Sequence, residues 1–267
     1  MTRKQWILGA ALIMTMGATD AWADKLSLRY DVSVSGLRAM KVKFYSEFTP
    51  KTYSATADMK PKGLLKIFLK KKLHLEVSGA FRGTRPQPLS FSYRSRKKGR
   101  EKQARITWKN GKVAQWQATP APGSGERKAI NQAIAQGALD PLSALFALAR
   151  SDAKGLCTGR FHVFDGIDVY DLKFARLGAT RVRTSAYSGP AMKCRMVYVP
   201  IAGMSEGKKQ KQLRNPPTFT LWLARVRSAE LGPIWVPVQV TGRTKGKPFT
   251  AGLVKGRMNG RPLQPAR

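Results

Sequence analysis

The sequence predicts a mainly β protein: a large curved antiparallel sheet, of the half-barrel or spiral kind, carrying one or two short helices. Three observations point there. Apolar residues alternate with polar ones, the period of a half-buried strand, through most of the chain after Asp24. Two dipeptides suited to tight hairpins, Asn110-Gly111 and Asp165-Gly166, sit between such runs. Only one segment carries a full set of helix signals. About 11 to 14 strands are expected, and because open twisted sheets rarely exceed about ten, the sheet must curl.

In chain order, Leu26, Leu28 and Tyr30 alternate into Val32 and Val34, turn near Gly36, and return through Val42, Phe44 and Tyr45. Thr52 to Ala57 continues in β-prone residues. Pro61 to Lys72 changes period: Leu64, Leu65, Phe68 and Leu69 share one helical face, with Lys66, Lys70, Lys71 and Lys72 around it. That pattern predicts a short cationic amphipathic helix, its leucines either capping the sheet or lying on a membrane interface. Alternation resumes at Leu73, Leu75 and Val77, and again at Leu89, Phe91 and Tyr93.

A hairpin through Asn110-Gly111 should join Ile106 and Trp108 to Val113 and Trp116. Between these strands the run Arg94 to Arg105, including Arg96, Lys97, Lys98 and Arg100, reads as a basic hairpin tip. Thr119 to Glu126 reads as a loop. The strongest helix runs from Asp140 to Arg150: Asp140 suits the N-cap, Pro141 the first helical position, and Leu142, Leu145, Phe146 and Ala149 form one face. Then Phe161 to Leu172 predicts a hairpin turning on Asp165-Gly166. A two-residue loop there sets Phe164 against Ile167, His162 against Val169 and Arg160 against Asp171. Five further strands are expected over 182–188, 195–199, 218–225, 234–241 and 248–254. Gly203 to Pro217 reads as a basic loop, and residues 259–267 as a flexible tail.

The first 23 residues carry basic Arg3 and Lys4, an apolar stretch from Trp6 to Met16, and Ala21-Trp22-Ala23 before Asp24. This is a cleavable secretory signal peptide, cut between Ala23 and Asp24, and its apolar core is too short to span a bilayer. The expected organisation is a leader over 1–23, one β domain over 24–258, and the tail. The expected location is the periplasm, with no transmembrane segment in the mature chain. Losing the leader lowers the formal charge from +34 to +33. So large a positive charge draws polyanions from a distance. Export puts nucleic acid out of reach and leaves anionic lipid, lipopolysaccharide or an envelope protein as candidate partners. Cys157 and Cys194, the only cysteines, should form a disulfide in an oxidising compartment. Closing a loop of about 38 residues, it would add up to about 4 kcal/mol.

The order of features resembles the bacterial family called domain of unknown function 3108. The residues that carry the likeness are Tyr30 to Gly36, Gly63-Leu64-Leu65 with Ser78-Gly79, and Asp140-Pro141-Leu142-Ser143-Ala144-Leu145. They continue with Cys157, Val163-Phe164-Asp165-Gly166, Tyr170-Asp171-Leu172, Cys194, Pro200-Ile201-Ala202-Gly203, and the region of Trp222, Pro237 and Gly242. The resemblance implies an exported β-rich fold and assigns no activity or catalytic residue.

The chain is poor in catalytic groups. His74 and His162 are its only histidines, no nucleophile elbow or His-Glu-x-x-His is present, and two cysteines cannot build a zinc cluster. The spacing of Asp165, Asp168 and Asp171 fits a turn plus an Arg160–Asp171 ion pair better than a calcium site. No cofactor and no metal are expected. The leading expectation is a non-catalytic envelope protein that binds a lipid or anionic envelope component through its curved sheet or basic loops. A scaffold or chaperone for another exported protein is the second reading, and a hydrolase with an unfamiliar site the third.

Overall fold

A computed structural model describes residues 23–62, 71–97, 99–244 and 246–266. The chain forms two antiparallel meanders. The first comprises β1 (Asp24–Val34), β2 (Leu37–Phe48), β3 (Thr52–Pro61), β4 (Lys71–Arg82), β5 (Arg85–Lys97), β6 (Arg100–Lys109) and β7 (Lys112–Thr119). The second comprises β8 (Arg160–Phe164), β9 (Val169–Arg183), β10 (Ser188–Ala202), β11 (Thr218–Ser228), β12 (Gly232–Thr244) and β13 (Lys247–Met258), with a short β14 (Arg261–Pro262) beside β13. Pairing of β1 with β13 fuses the meanders into one sheet of order β7-β6-β5-β4-β3-β2-β1-β13-β12-β11-β10-β9-β8.

This order places the consecutive strands β7 and β8 at opposite edges. The segment between them, with α1 (Ser124–Ile134) and α2 (Pro141–Ala149), joins the two edges by a short path if the sheet curls. It does curl, and the edges face each other without pairing. Trp116 on β7 meets Phe164 on β8 edge to face, ring centroids 5.3 Å apart. The connecting segment fills the seam. Leu139 donates to the His162 carbonyl at 2.9 Å and accepts from the Phe164 N–H at 2.8 Å, so it satisfies the edge of β8. Trp108 Nε1 donates to the Ala138 carbonyl and Trp116 Nε1 to Asn131 Oδ1, both at 2.8 Å. Helix α2 lies inside the curl. Phe146 packs among Phe48, Tyr53 and Phe81 on one side, while Leu148 joins the cluster around Cys157 and Cys194 on the other.

The local code explains most elements. Asn110 and Gly111 both take positive φ, 53° and 75°, as a type I′ turn requires. Asp140 caps α2 as expected, its Oδ1 accepting the N–H groups of Leu142 and Ser143 at 2.9 Å, with Pro141 opening the helix.

Several expectations change. The turn at Asp165-Gly166 has four residues, not two: Phe164 pairs with Val169, His162 with Asp171 and Arg160 with Lys173. Asp165 Oδ1 accepts from Ile167 N and Asp168 N, and this side-chain turn lengthens the loop. One helix lies where a loop was expected, and another starts at the end of the loop expected over 119–126 and runs on through residues given no element. Helix α1 begins at Ser124 and buries only Ile130 and Ile134, too few for a clear stripe. Helix α3 (Glu206–Arg214) buries no residue and follows from the helix propensity of its Lys, Gln, Leu and Arg. With α2 they make three short helices among the described residues. The expected helix over 61–72 falls mainly on 63–70, outside the described residues; its ends, Pro61 and Lys71, are strand. The tail does not fray. Leu263 is 8% exposed in the core, and Arg227 N and Ala266 N bond to Gln264 O and Arg225 O along β11. Residues 1–22 of the leader expected over 1–23 also lie outside the described residues, although Asp24 opens β1 and is buried. There its carboxylate accepts from Ser228, Asn259 and the Glu230 N–H.

Candidate functional site

Strand alternation divides the basic run expected at one hairpin tip between two faces of the sheet. Tyr93, Ser95 and Lys97 share a face of β5 with the buried core residue Phe91, and Arg100 and Lys102 share a face of β6 with Ala104 and Ile106. These side chains point into the curl. There, with Leu73, Ile167, Asp165, Asp168 and Lys208 of α3, they line an open cavity of about 610 Å³. Arg94, Arg96 and Lys72 point outward instead, into a shallow groove of about 310 Å³ with Lys60, His74, Asp58 and Glu101. Glu101 accepts from Arg96 at 3.4 Å and lies 3.8 Å from Arg94. The expected anion contacts therefore form two sites. Lys97 and Arg100 belong to the inner mouth, Lys72, Arg94 and Arg96 to the outer groove, while Lys66, Lys70 and Lys98 lie outside the described residues.

Two glycines hold the loop that forms one wall of the mouth. Gly166, at φ +86°, lies so close to β6 that an added Cβ would come within 2.3 Å of Ala104 Cβ. Gly203, at φ +93° just past β10, leaves no room for a Cβ, which would stand 2.2 Å from the Ile167 carbonyl. Only glycine fits either place. The Asp165–Asp168 loop is thus wedged between β6 and the end of β10, and its carboxylates sit at the cavity rim by construction. Their negative field acts on neighbouring phenols. Burial first, then Asp168 and Asp165, hold Tyr198 protonated well above its ordinary range. Tyr170, its ring 4.6 Å from that of Tyr198, is pushed the same way, chiefly by burial. Burial likewise raises Tyr93. Tyr93, the aromatic residue that lines the mouth, is a neutral phenol.

Several groups outside the mouth make contacts that hold the fold together. His162 bonds Asp171 through Nδ1 at 2.8 Å and the Ala133 carbonyl through Nε2 at 3.0 Å, tying α1 to the sheet. Arg160 also reaches Asp171, at 3.0 Å, so the expected ion pair forms although the two residues are not direct strand partners. Tyr53 and Ser143 hydroxyls bond at 2.7 Å, next to Asp140. Burial pushes Asp140 up to about 6, against the lowering effect of its bonds to Ser143 and Leu142. Cys157 and Cys194 are joined, their Cα atoms 5.8 Å apart, and are shielded by Phe161, Phe174 and Leu148. Among the described residues no three His, Cys, Asp or Glu side chains converge to hold a metal ion, and no helix is long and apolar enough to cross a membrane.

The convergence of Lys102 and Lys208 with Lys97 and Arg100 was missed in the sequence. For Lys102 a signal existed: it follows Arg100 at the strand period, two residues away. Lys208 opens the basic run 208–214 that the sequence offers as a phosphate contact, but that α3 brings it to the mouth is decided only by the tertiary fold.

Fold and site together define a barrel-like β protein whose sheet stays open at a seam and whose mouth is lined by four cations and by the carboxylates of Asp165 and Asp168. The chain belongs to the DUF3108 family of proteins of unknown function, whose sequence profile matches residues 29–247. Among solved structures it is similar to a β-barrel-like protein of domain of unknown function DUF1849 from Brucella abortus. That similarity has 9% identity and a TM-score of 0.44, and covers 89% of this chain and 98% of that one. Comparison with curated proteins gave no match.

Proposed function

We propose that this is an exported, non-catalytic envelope protein that binds an anionic lipid or another anionic envelope component in the inner mouth. The observation that carries the reading is the convergence of Lys97, Arg100, Lys102 and Lys208 around Tyr93, Leu73 and Ile167 in a cavity of about 610 Å³. Cations beside an aromatic ring and two aliphatic side chains suit a headgroup joined to an apolar portion. Export is supported by the leader pattern of residues 1–23 and by the cystine. A non-catalytic role is supported by His162, whose two ring nitrogens are both bonded within the fold.

The test is calorimetric titration of the purified protein with a short-chain phosphatidic acid kept below its micelle concentration. The expected result is binding that weakens with salt and falls at least tenfold in the Lys97→Gln/Arg100→Gln/Lys102→Gln/Lys208→Gln variant. Unchanged binding in that variant, or none in the wild type, overturns the reading.

A further inference from the structure

At the far end of the curl from the mouth, Arg150 carries a charge that the fold leaves without a counter-charge. It is the C-cap residue of α2, and its guanidinium stands over the Phe81 ring, 4.0 Å from the centroid. A ring face attracts a cation, but it does not replace an oxygen acceptor for the in-plane N–H groups. Nη1 is buried and, among the described residues, meets no hydrogen-bond partner. Burial lowers the guanidinium's hold on its proton with no carboxylate acting the other way, and the group stays charged. The end of a helix offers only a partial negative charge. A buried N–H of a charged group is costly without an acceptor. The acceptor that suits a guanidinium best is a carboxylate, which takes two of its N–H groups at once.

What surrounds the guanidinium narrows the kind of carboxylate. Arg150 lines a cavity of about 30 Å³ between α2 and strands β1, β2 and β12, and the other described residues lining it are all hydrophobic, among them Leu26, Leu28, Phe44, Phe48, Leu145 and Val236. Water is poorly held there, because a buried water makes about three hydrogen bonds and this lining offers one charged group. A water-sized sphere takes up about 10–15 Å³, so two or three carbon atoms fit. Charge, lining and size together describe a carboxylate with a short aliphatic tail. The cavity is separate from the mouth, with which it shares no lining residue. Register puts Leu73 of the mouth level with Val42, which lies about 20 Å along β2 from Phe48.

We infer that this cavity is a second ligand site, which holds a short-chain monocarboxylate with its carboxylate on Arg150 and its tail among Leu26, Phe44 and Leu145. The inference is independent of the mouth. It is tested by NMR titration of the purified protein with sodium acetate, sodium butyrate and sodium octanoate, and with butyramide as the uncharged counterpart of butyrate.

Butyrate is expected to bind about tenfold more tightly than acetate, because two more methylenes leave water, and butyramide far more weakly than butyrate. Octanoate is too long for the cavity and should bind no better than butyrate. Arg150→Met keeps the aliphatic stem, removes the charge and should weaken butyrate binding at least about tenfold. Ala149→Leu fills the cavity, leaves Arg150 in place and should weaken butyrate to the same extent, so the test does not hang on one variant folding. The four-residue mouth variant should bind butyrate as wild type. Equal affinity for acetate and butyrate, or for butyrate and butyramide, overturns the inference. So does affinity that keeps rising to octanoate, or wild-type binding of butyrate in Arg150→Met or Ala149→Leu. Loss confined to the mouth variant would move the carboxylate there and likewise overturns it.

Discussion

At Gly166 a methyl group would stand 2.3 Å from Ala104 Cβ, on a backbone at φ +86° that disfavours any side chain. Gly166→Ala therefore combines a steric and a conformational cost, each on the order of 1–3 kcal/mol, and the loop must withdraw from β6. Urea unfolding should show a loss of about 2–4 kcal/mol, and binding at the mouth should fall with it, because the Asp165–Asp168 wall moves. Stability within 0.5 kcal/mol (roughly the noise of a neutral surface change) would mean the loop is not wedged. Asp140 makes a different prediction. Its carboxyl is held near 6 in the folded chain against 3.8 for the free group, so the native state binds the proton more tightly. That preference is present in full at low pH and is lost as pH rises from about 4 to about 6. Asp140→Asn keeps the Oδ1 acceptor and removes the titration. The stability of the variant relative to wild type should rise by on the order of 2 kcal/mol between pH 4 and 7; a difference independent of pH would contradict the assignment.

Among the elements, α2 was readable because one residue, Asp140, caps it and its apolar face is continuous. Helices α1 and α3 were not, because their burial is slight and their stability comes from neighbours or from exposed propensity. The β6–β7 hairpin was readable because Asn110-Gly111 dictates its turn by backbone preference alone. The register at Asp165-Gly166 was not, since the Asp165 side chain accepts from Ile167 N and Asp168 N and holds a four-residue turn. The cystine acts at this scale. Cys157, in the link between α2 and β8, is tied to Cys194 at the middle of β10, so the tether fixes the helix-bearing segment to the second meander. Free-thiol labelling of denatured, unreduced protein should be negative at both positions. Cys157→Ser/Cys194→Ser should lower unfolding free energy by about 2–4 kcal/mol; labelling of both thiols would refute the bond.

Across the whole molecule, curvature followed from counting strands, but its consequence did not. Because β1 pairs with β13, the first strand lies mid-sheet and the two edges belong to β7 and β8. The chain between those edges therefore becomes a plug instead of a surface loop, with Trp108, Trp116 and His162 bonded to it. The same curl gives the cations two addresses. The sequence by itself determined where strands run, which residues alternate, where Asn110-Gly111 turns, how α2 starts and which cysteines can pair. These depend on neighbours within a few residues, where backbone preference and burial period act. Only the tertiary structure decided that β1 meets β13, that Gly166 lies against Ala104, that Lys208 joins Lys97, and that the tail packs on β11. Each joins residues far apart in the chain, and the closure of such loops is set by the shared core and not by any local pattern.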